Sequence, residues 1–405
     1  MTLDTLPTLD ARQLERTALV RAFTAPKGFG DQTLRDRRAD AIELLGGIPD
    51  PAVLPAHELA DATARVLAQP GLPALQYSRT EGIPALREWI AAREGVPASR
   101  ILVTNGGFHG LALAIQTTVE RGDLVAVDNP IFPLFLRGLE LSDARILPVR
   151  VGPHGLDVDE LGAVLRGGAR PAALYTVPDF HNPTQGSLSL EGRRELVRLA
   201  EHYGFVVFAD NPYRELRFAG GVPEEEPFNH SERVIHVNTF TKTLGPGLRL
   251  GWLVLPESLV PDVVAVRSRQ DSHSSTFVQA VVAELLTHDA GLFDATLDRA
   301  RALYGSRART LAEAIDREAP GEFEVEVPTG GLFLWPRLRD ARVDADRLAA
   351  DASTEGVEYQ RGSFFPSGPG TDADRRLRLA FGDTTEDRLA EAATRLARAL
   401  RRQRE

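Results

Sequence analysis

A lysine amine that has lost its proton can attack a carbonyl carbon and form an imine; an arginine guanidinium, which stays charged, does not. Arginine is abundant in this sequence, yet Lys27 and Lys242 are its only lysines. Lys242 has the richer setting. It sits in Thr239-Phe240-Thr241-Lys242-Thr243-Leu244-Gly245-Pro246-Gly247-Leu248-Arg249-Leu250-Gly251-Trp252, directly after an apolar run. The hydroxyls of Thr239 and Thr241 and the guanidinium of Arg249 are suited to a phosphate. The alternative is a surface loop with a stray lysine.

Four other segments carry residues of the right type. Asp210 ends the apolar run Phe205-Val206-Val207-Phe208-Ala209 and is followed by Asn211-Pro212-Tyr213. A carboxylate there can pair with a protonated pyridine nitrogen and keep the ring an electron sink; it can equally be a turn or cap aspartate. In Asp179-Phe180-His181-Asn182-Pro183-Thr184 the Asn182 amide can donate to a phenolate oxygen, as can Tyr213, although Asn-Pro is also a plain turn signal. Thr104-Asn105-Gly106-Gly107-Phe108-His109 runs from a strand end into a helix, where free N–H groups attract an anion. An ordinary connecting turn explains it as well. In Arg376-Leu377-Arg378-Leu379-Ala380-Phe381 alternation puts both arginines on one strand face. There a guanidinium can hold a carboxylate bidentately, or simply face solvent.

These segments need elements to hold them. Residues 9–23 read as a helix, then a polar stretch runs to about 43. Leu44-Leu45-Gly46-Gly47-Ile48-Pro49-Asp50-Pro51 is rich in turn residues, and 57–68 reads as an amphipathic helix. From residue 83 helices and strands alternate. Helices are expected at 83–94, 107–119, 132–140 and 190–202. Strands are expected at 100–104, 124–128, 145–149, 172–176, 205–209, 234–238 and 250–255. This rhythm predicts a mostly parallel α/β sheet covered on both faces, with ligands beyond the carboxyl ends of its strands. Helices over 260–287 and 291–316 follow. Strands at 322–327, 331–335 and 376–381, with helices at 343–355 and 385–401, predict a smaller α+β domain. With 405 residues, two domains are expected.

Composition narrows the function classes. A net charge of -10 argues against a general nucleic-acid or anionic-membrane surface. The absence of cysteine excludes disulfides, thiolate metal sites and cysteine nucleophiles. No apolar run approaches the ~18 residues of a membrane span. Met1–Asp10 shows no basic region followed by an apolar stretch, so the expected compartment is the cytoplasm.

Together the five segments, in this order, resemble the aspartate aminotransferase superfamily, the fold type I enzymes that use pyridoxal 5'-phosphate (PLP). Within it the chain is most similar to the branch of α-aminoadipate and kynurenine aminotransferases and the enzyme-like domains of MocR regulators. The resemblance spans Leu44 to Phe381. It implies a large PLP-binding domain over 51–305, a small domain over 306–405, and an N-terminal helix and arm over 1–50 beside the active-site mouth. It implies that Lys242 forms the Schiff base and shuttles the proton, that Asp210 holds the pyridine nitrogen, and that Asn182 and Tyr213 bind the ring oxygen. Phe132 would stack on the ring. Gly106, Gly107, Phe108, Thr239, Thr241 and Arg249 would hold the phosphate, with Tyr77 reaching a neighbouring subunit's phosphate in a homodimer. Arg378 and Asn182 would bind the substrate carboxylate, with Gly46 and Gly47 bordering the substrate. His181, Phe108 and His109 are further candidates for the pocket lining.

The chain departs from the usual pattern at several points. Gly107 and Phe108 stand where side-chain donors are common, Phe132 where tyrosine is, and Gln185 follows Asn182-Pro183-Thr184 where glycine is usual. The implied reaction moves an α-amino group from an L-amino acid to a 2-oxo acid. Oxidation, cyclisation or side-chain elimination on the same scaffold is the alternative, and a PLP-binding regulator module a third.

Overall fold

The computed structural model describes residues 16–23, 40–218 and 226–404. The chain opens with α1 (Ala18–Ala22), β1 (Ile42–Leu44), α2 (Ala56–Leu67), α3 (Pro84–Glu94), β2 (Ile101–Thr104), α4 (Gly107–Thr118), β3 (Leu124–Asn129) and α5 (Pro133–Glu140). It continues through β4 (Arg145–Gly152), β5 (Gly155–Leu156), α6 (Val158–Arg166), β6 (Ala173–Thr176), α7 (Leu190–Tyr203), β7 (Val206–Asp210), β8 (Val234–Thr239) and β9 (Gly251–Val254). Then come α8 (Val260–Ser268), α9 (Thr276–His288), α10 (Leu292–Glu318), β10 (Phe323–Glu324), β11 (Phe333–Leu334) and β12 (Arg337–Leu338). The last elements are α11 (Ala345–Thr354), β13 (Val357–Arg361), β14 (Leu377–Ala380) and α12 (Glu386–Arg402).

Helix limits follow local chemistry. Pro84 opens α3 and Gly95, at φ 68°, closes it. Ser189 caps α7 through the amide of Gly192, and Asp157 caps α6 through that of Glu160.

Eight strands form one sheet in the order β2-β9-β8-β7-β6-β3-β4-β5. The run β8-β7-β6-β3-β4 is parallel, while β9 is antiparallel to both β8 and β2. Strand alternation sends successive side chains to opposite faces. Ala126, Leu174 and Val207 pack with Leu161, Leu165, Leu196 and Leu199 of α6 and α7. Val127, Tyr175 and Phe208 pack on the other face with Leu111, Ile115 and Phe135 of α4 and α5. Both faces are therefore dry, as the apolar runs require. A second sheet, β1-β13-β14-β11, joins an N-terminal strand to three C-terminal ones. There β1 pairs in parallel with β13, Ile42 facing Val357. Among the described residues no helix is long and apolar enough to cross a membrane.

The mixed helix-and-sheet architecture is as expected, with differences in detail. Strands β1, β5, β12 and β13 and helix α6 are absent from the sequence expectations. The 260–287 stretch holds two helices, α8 and α9, separated by a turn that ends at Ser275, the cap of α9. The strand expected over 322–327 pairs only at Phe323 and Glu324. Of the N-terminal helix, 18–22 is helical, and 9–15 lies outside the described residues, as does Lys27.

Candidate active site

Because β2, β3, β6, β7 and β8 all run in the same direction, their carboxyl ends share one edge of the large sheet. Asn105-Gly106-Gly107 leaves β2 there, Asn182 follows β6, Asp210 ends β7, and Lys242 lies one short turn beyond β8. Opposite this edge stand the turn after β1 and strands β11 and β14.

Lys242 is half-buried, and its Nζ donates to the carbonyl of Gly47 at 2.8 Å. The same nitrogen lies 6.0 Å above the ring of Tyr213. Burial of the amine lowers its pKa to about 8, helped by the charge of Arg378 and opposed by Asp210. Asp210 moves the other way: burial raises it to about 6, against the hydroxyl of Tyr175 and the charge of Lys242. Tyr213 hydrogen-bonds Asn182, and burial raises its phenol well above the ordinary range.

Arg378, fully buried, donates from Nη1 to Asn182 Oδ1 at 3.0 Å and from Nη2 to the carbonyl of Leu45. Its guanidinium lies 4.4 Å from the centre of the Phe333 ring. Gly47 allows this packing, since a Cβ there would fall 2.5 Å from Phe333 Cζ. Gly46 is buried beside it and accepts from the amide of Ile48 at 2.8 Å.

A cradle lies at the start of α4. Gly106 has φ 83°, and an added Cβ would meet Arg249 Nη2 at 2.6 Å. Arg249 in turn donates to the carbonyl of Asn105 at 3.2 Å. The hydroxyls of Thr239 and Thr241 are 2.7 Å apart. The Cβ position of Gly107 lies 3.8 Å from Thr239 Cβ and 3.9 Å from Asp210 Oδ1. The α4 N-terminal amides, two hydroxyls, a guanidinium and a carboxylate thus lie close together.

Thus Lys242, Asp210, Tyr213, Asn182, Arg378, Gly46, Gly47, Gly106, Gly107, Thr239, Thr241 and Arg249 come together. The other candidates have these surroundings. Tyr77 is 94% exposed and touches the ring of His273. Phe108 is half exposed, its ring edge against Gly138 of α5, and Phe132 precedes α5 at its cap. His109 bonds the amide of Asn105 through Nδ1 and lies 3.8 Å from Asp271. His181 requires a correction: it is fully buried, 3.1 Å from Asp128, and lines no open pocket. Arg376 likewise leaves the site, paired with Asp372 at 2.8 Å. Gln185 adopts φ 67° and donates its side-chain amide to the carbonyl of Phe333 at 2.7 Å. Sequence reasoning missed Tyr175, whose hydroxyl donates to Asp210 Oδ2 at 3.0 Å. In Ala173-Leu174-Tyr175-Thr176 it reads as core; only the strand register puts it next to Asp210.

Residues 47–396 match the family described as aminotransferase class I and II. The chain belongs to that family. This aminotransferase is 34% identical over 371 residues to a 2-aminoadipate transaminase of Thermus thermophilus, covering 90% of the chain and 91% of the relative. It is 32% identical over 328 residues to the HTH-type transcriptional regulator TauR of Rhodobacter capsulatus, covering 79% and 66%. The crystal structure of an alpha-aminoadipate aminotransferase from Thermus thermophilus, complexed with N-(5'-phosphopyridoxyl)-L-leucine, superposes with a TM-score of 0.82 at 33% identity. The match covers 92% of this chain and 97% of that one. The fold is accordingly fold type I, and the activity is transfer of an amino group from an amino acid to a 2-oxo acid.

Proposed function

We propose that this aminotransferase carries PLP covalently on Lys242 and takes the α-amino group of an L-amino acid at that site. The observation that carries this reading is the Lys242 amine, lowered to about 8 and set between Asp210, Tyr213, Arg378 and the Gly47 carbonyl. An amine of that pKa is partly unprotonated near neutrality, ready to form a bond to carbon or take a proton. The residues fit the cofactor. A side chain at Gly106 would fill the space beside Arg249, where a phosphate needs room, and Thr239, Thr241 and the α4 amides supply donors. When bound, PLP supplies a carbonyl for the incoming amine and a ring that accepts the electron pair left at the substrate α-carbon.

The chain's own residues do the rest. Asp210 holds a proton at the ring nitrogen, Asn182 and Tyr213 donate to the ring oxygen, and Phe132 covers a ring face. Arg378 grips the α-carboxylate, with Asn182, Gly46 and Gly47 bordering the substrate. Lys242 removes and returns the α-proton. The relatives' names make 2-aminoadipate the first donor to try.

The proposed assembly is a homodimer, with Tyr77 reaching the partner's phosphate site and the Phe108 amide serving the phosphate in its own subunit. The proposed division is 1–50, 51–305 and 306–405, and the proposed compartment is the cytoplasm. Borohydride reduction of the PLP-loaded protein, followed by peptide mapping, tests the central point. The label should appear on Lys242 and vanish in Lys242→Ala, whose turnover should fall by about 10⁴-fold or more. A label on Lys27, or unchanged turnover in Lys242→Ala, would overturn it.

A further inference from the structure

Asp210 has two oxygens with different surroundings. Oδ1 faces the cradle, 3.9 Å from where a Cβ on Gly107 would stand. Oδ2 points away and accepts the hydroxyl of Tyr175 at 3.0 Å. Sheet register explains the contact. Tyr175 in β6 lies opposite Phe208 in β7, so Asp210, two residues on, is its diagonal neighbour on the same face. An aromatic side chain spans that diagonal. The ring is fixed as well: Phe135 of α5 stacks on it at 3.7 Å and 11°. Both rings are fully buried.

We propose that Tyr175 is a positioning residue for the amino-transfer chemistry: by bonding Oδ2 it turns Oδ1 toward the ring nitrogen of the bound cofactor and keeps Asp210 ionised. This rests on the reading of Asp210 as the partner of that nitrogen. The groups facing the pair support it. Lys242, beyond β8, favours the ionised carboxylate, as does the Tyr175 hydroxyl. Asp128 of β3 and burial oppose it. Asp128 and Asp210 also oppose ionisation of Tyr175, as do burial and Tyr213, so the phenol keeps its proton and remains a donor. Asp128 itself receives the amide of Val177 at 2.9 Å and lies 3.1 Å from His181 Nε2. With a carboxylate of like sign on its other side, the hydroxyl is the neutral donor that Asp210 Oδ2 has among these groups.

Tyr175→Phe removes one oxygen and keeps the stacked ring. Asp210 then becomes more basic and draws the shared proton from the ring nitrogen. The ring withdraws less charge, and the nitrogen joining it to Lys242 becomes more basic. Two measurements follow, neither of them a turnover assay. The pH midpoint of the visible absorption band of the PLP-loaded protein should rise by about half a unit or more, and the Kd for PLP should rise about tenfold. In the Asp210→Asn background the Tyr175→Phe change should leave both values unmoved, because the partner charge is gone. Should Tyr175→Phe not fold, Phe135→Leu loosens the ring while keeping the hydroxyl, and the same cycle is run with it.

An equal loss of affinity in both backgrounds would make Tyr175 a packing residue and overturn the proposal. So would an unmoved midpoint in an otherwise PLP-binding variant. A wild type that shows no visible band with PLP would instead overturn the reading of Lys242 and the cofactor, so the two failures are distinct.

Discussion

Lys242 and Asp210 are shifted toward each other by the same cause. Burial disfavours charge, which pulls an amine down and pushes a carboxyl up. For Asp210 the folded value is raised, so its contribution to stability is full below the unfolded value near 4. That contribution is lost as pH rises through about 6. Above that, the cofactor-free protein holds an ionised carboxylate at a cost on the order of 3 kcal/mol. Cofactor-free Asp210→Asn is therefore expected to be more stable than wild type at pH 8 by about that amount, and nearly equal to it at pH 4. Urea unfolding at the two pH values measures the difference; the same gap at both would show that charge is not its source. At this scale much of the site was legible. A scarce lysine among hydroxyls, an aspartate ending an apolar run and an arginine on a short strand are chemically unusual, and type plus position singled them out. Tyr175 was not legible, because a tyrosine in an apolar strand is normally core, and its hydroxyl acquires meaning only from the neighbouring strand.

Elements turn these residue types into a site. Parallel strands deliver Asn182, Asp210 and Lys242 to one edge, and the glycines at the start of α4 keep that edge open. Gly106 illustrates the requirement, with φ 83° and Arg249 Nη2 at 2.6 Å from any added Cβ. Gly106→Ala is expected to weaken PLP binding by about ten- to a hundredfold, through backbone strain and displacement of Arg249. Gly95, at φ 68°, closes α3 with nothing within 4 Å of an added Cβ. Gly95→Ala should therefore cost stability, by ~1 kcal/mol, without changing PLP affinity. Equilibrium dialysis and thermal melts on the pair distinguish the two effects; equal loss of affinity in both would contradict the assignment of the cradle. The long periodic helices and apolar strands of the large sheet were readable because each carries its own pattern. The small sheet was readable only in part: β11 and β14 fall inside expected strands, whereas β1 and β13, three and five residues long, take strand geometry by pairing with each other and with β14. Helix α6 did carry a signal, Asp157 before apolar positions 158, 161 and 165, so its absence from the sequence expectations reflects a missed cap rather than a missing one.

At the scale of the whole molecule, several apolar side chains stay exposed among the described residues. Tyr77 is 94% exposed, Leu75 57% and Phe108 46%. Tyr77 meets His273, Asp271 precedes it by two residues, and Asp271 binds Asn105 of the cradle turn, so Tyr77 borders the candidate site. If Tyr77 serves the partner's site, coexpressed Tyr77→Ala and Lys242→Ala chains should regain about a quarter of wild-type turnover, since half of randomly formed dimers are mixed and each holds one intact site. Activity no greater than the average of the two separate variants would rule out shared sites. The pairing of β1 with β13 also bears on how the chain is made. Roughly 300 residues separate Ile42 from Val357. At ~5–20 residues per second, the ribosome needs about 15–60 s to deliver the partner after β1 has emerged. The large sheet, complete at Val254, can assemble in that interval, while the strand that carries the chain to Gly46 and Gly47 waits unpaired for the last quarter of the protein. The site therefore closes only when synthesis is nearly finished, and a chain cut short before β13 would hold the lysine without the wall that faces it.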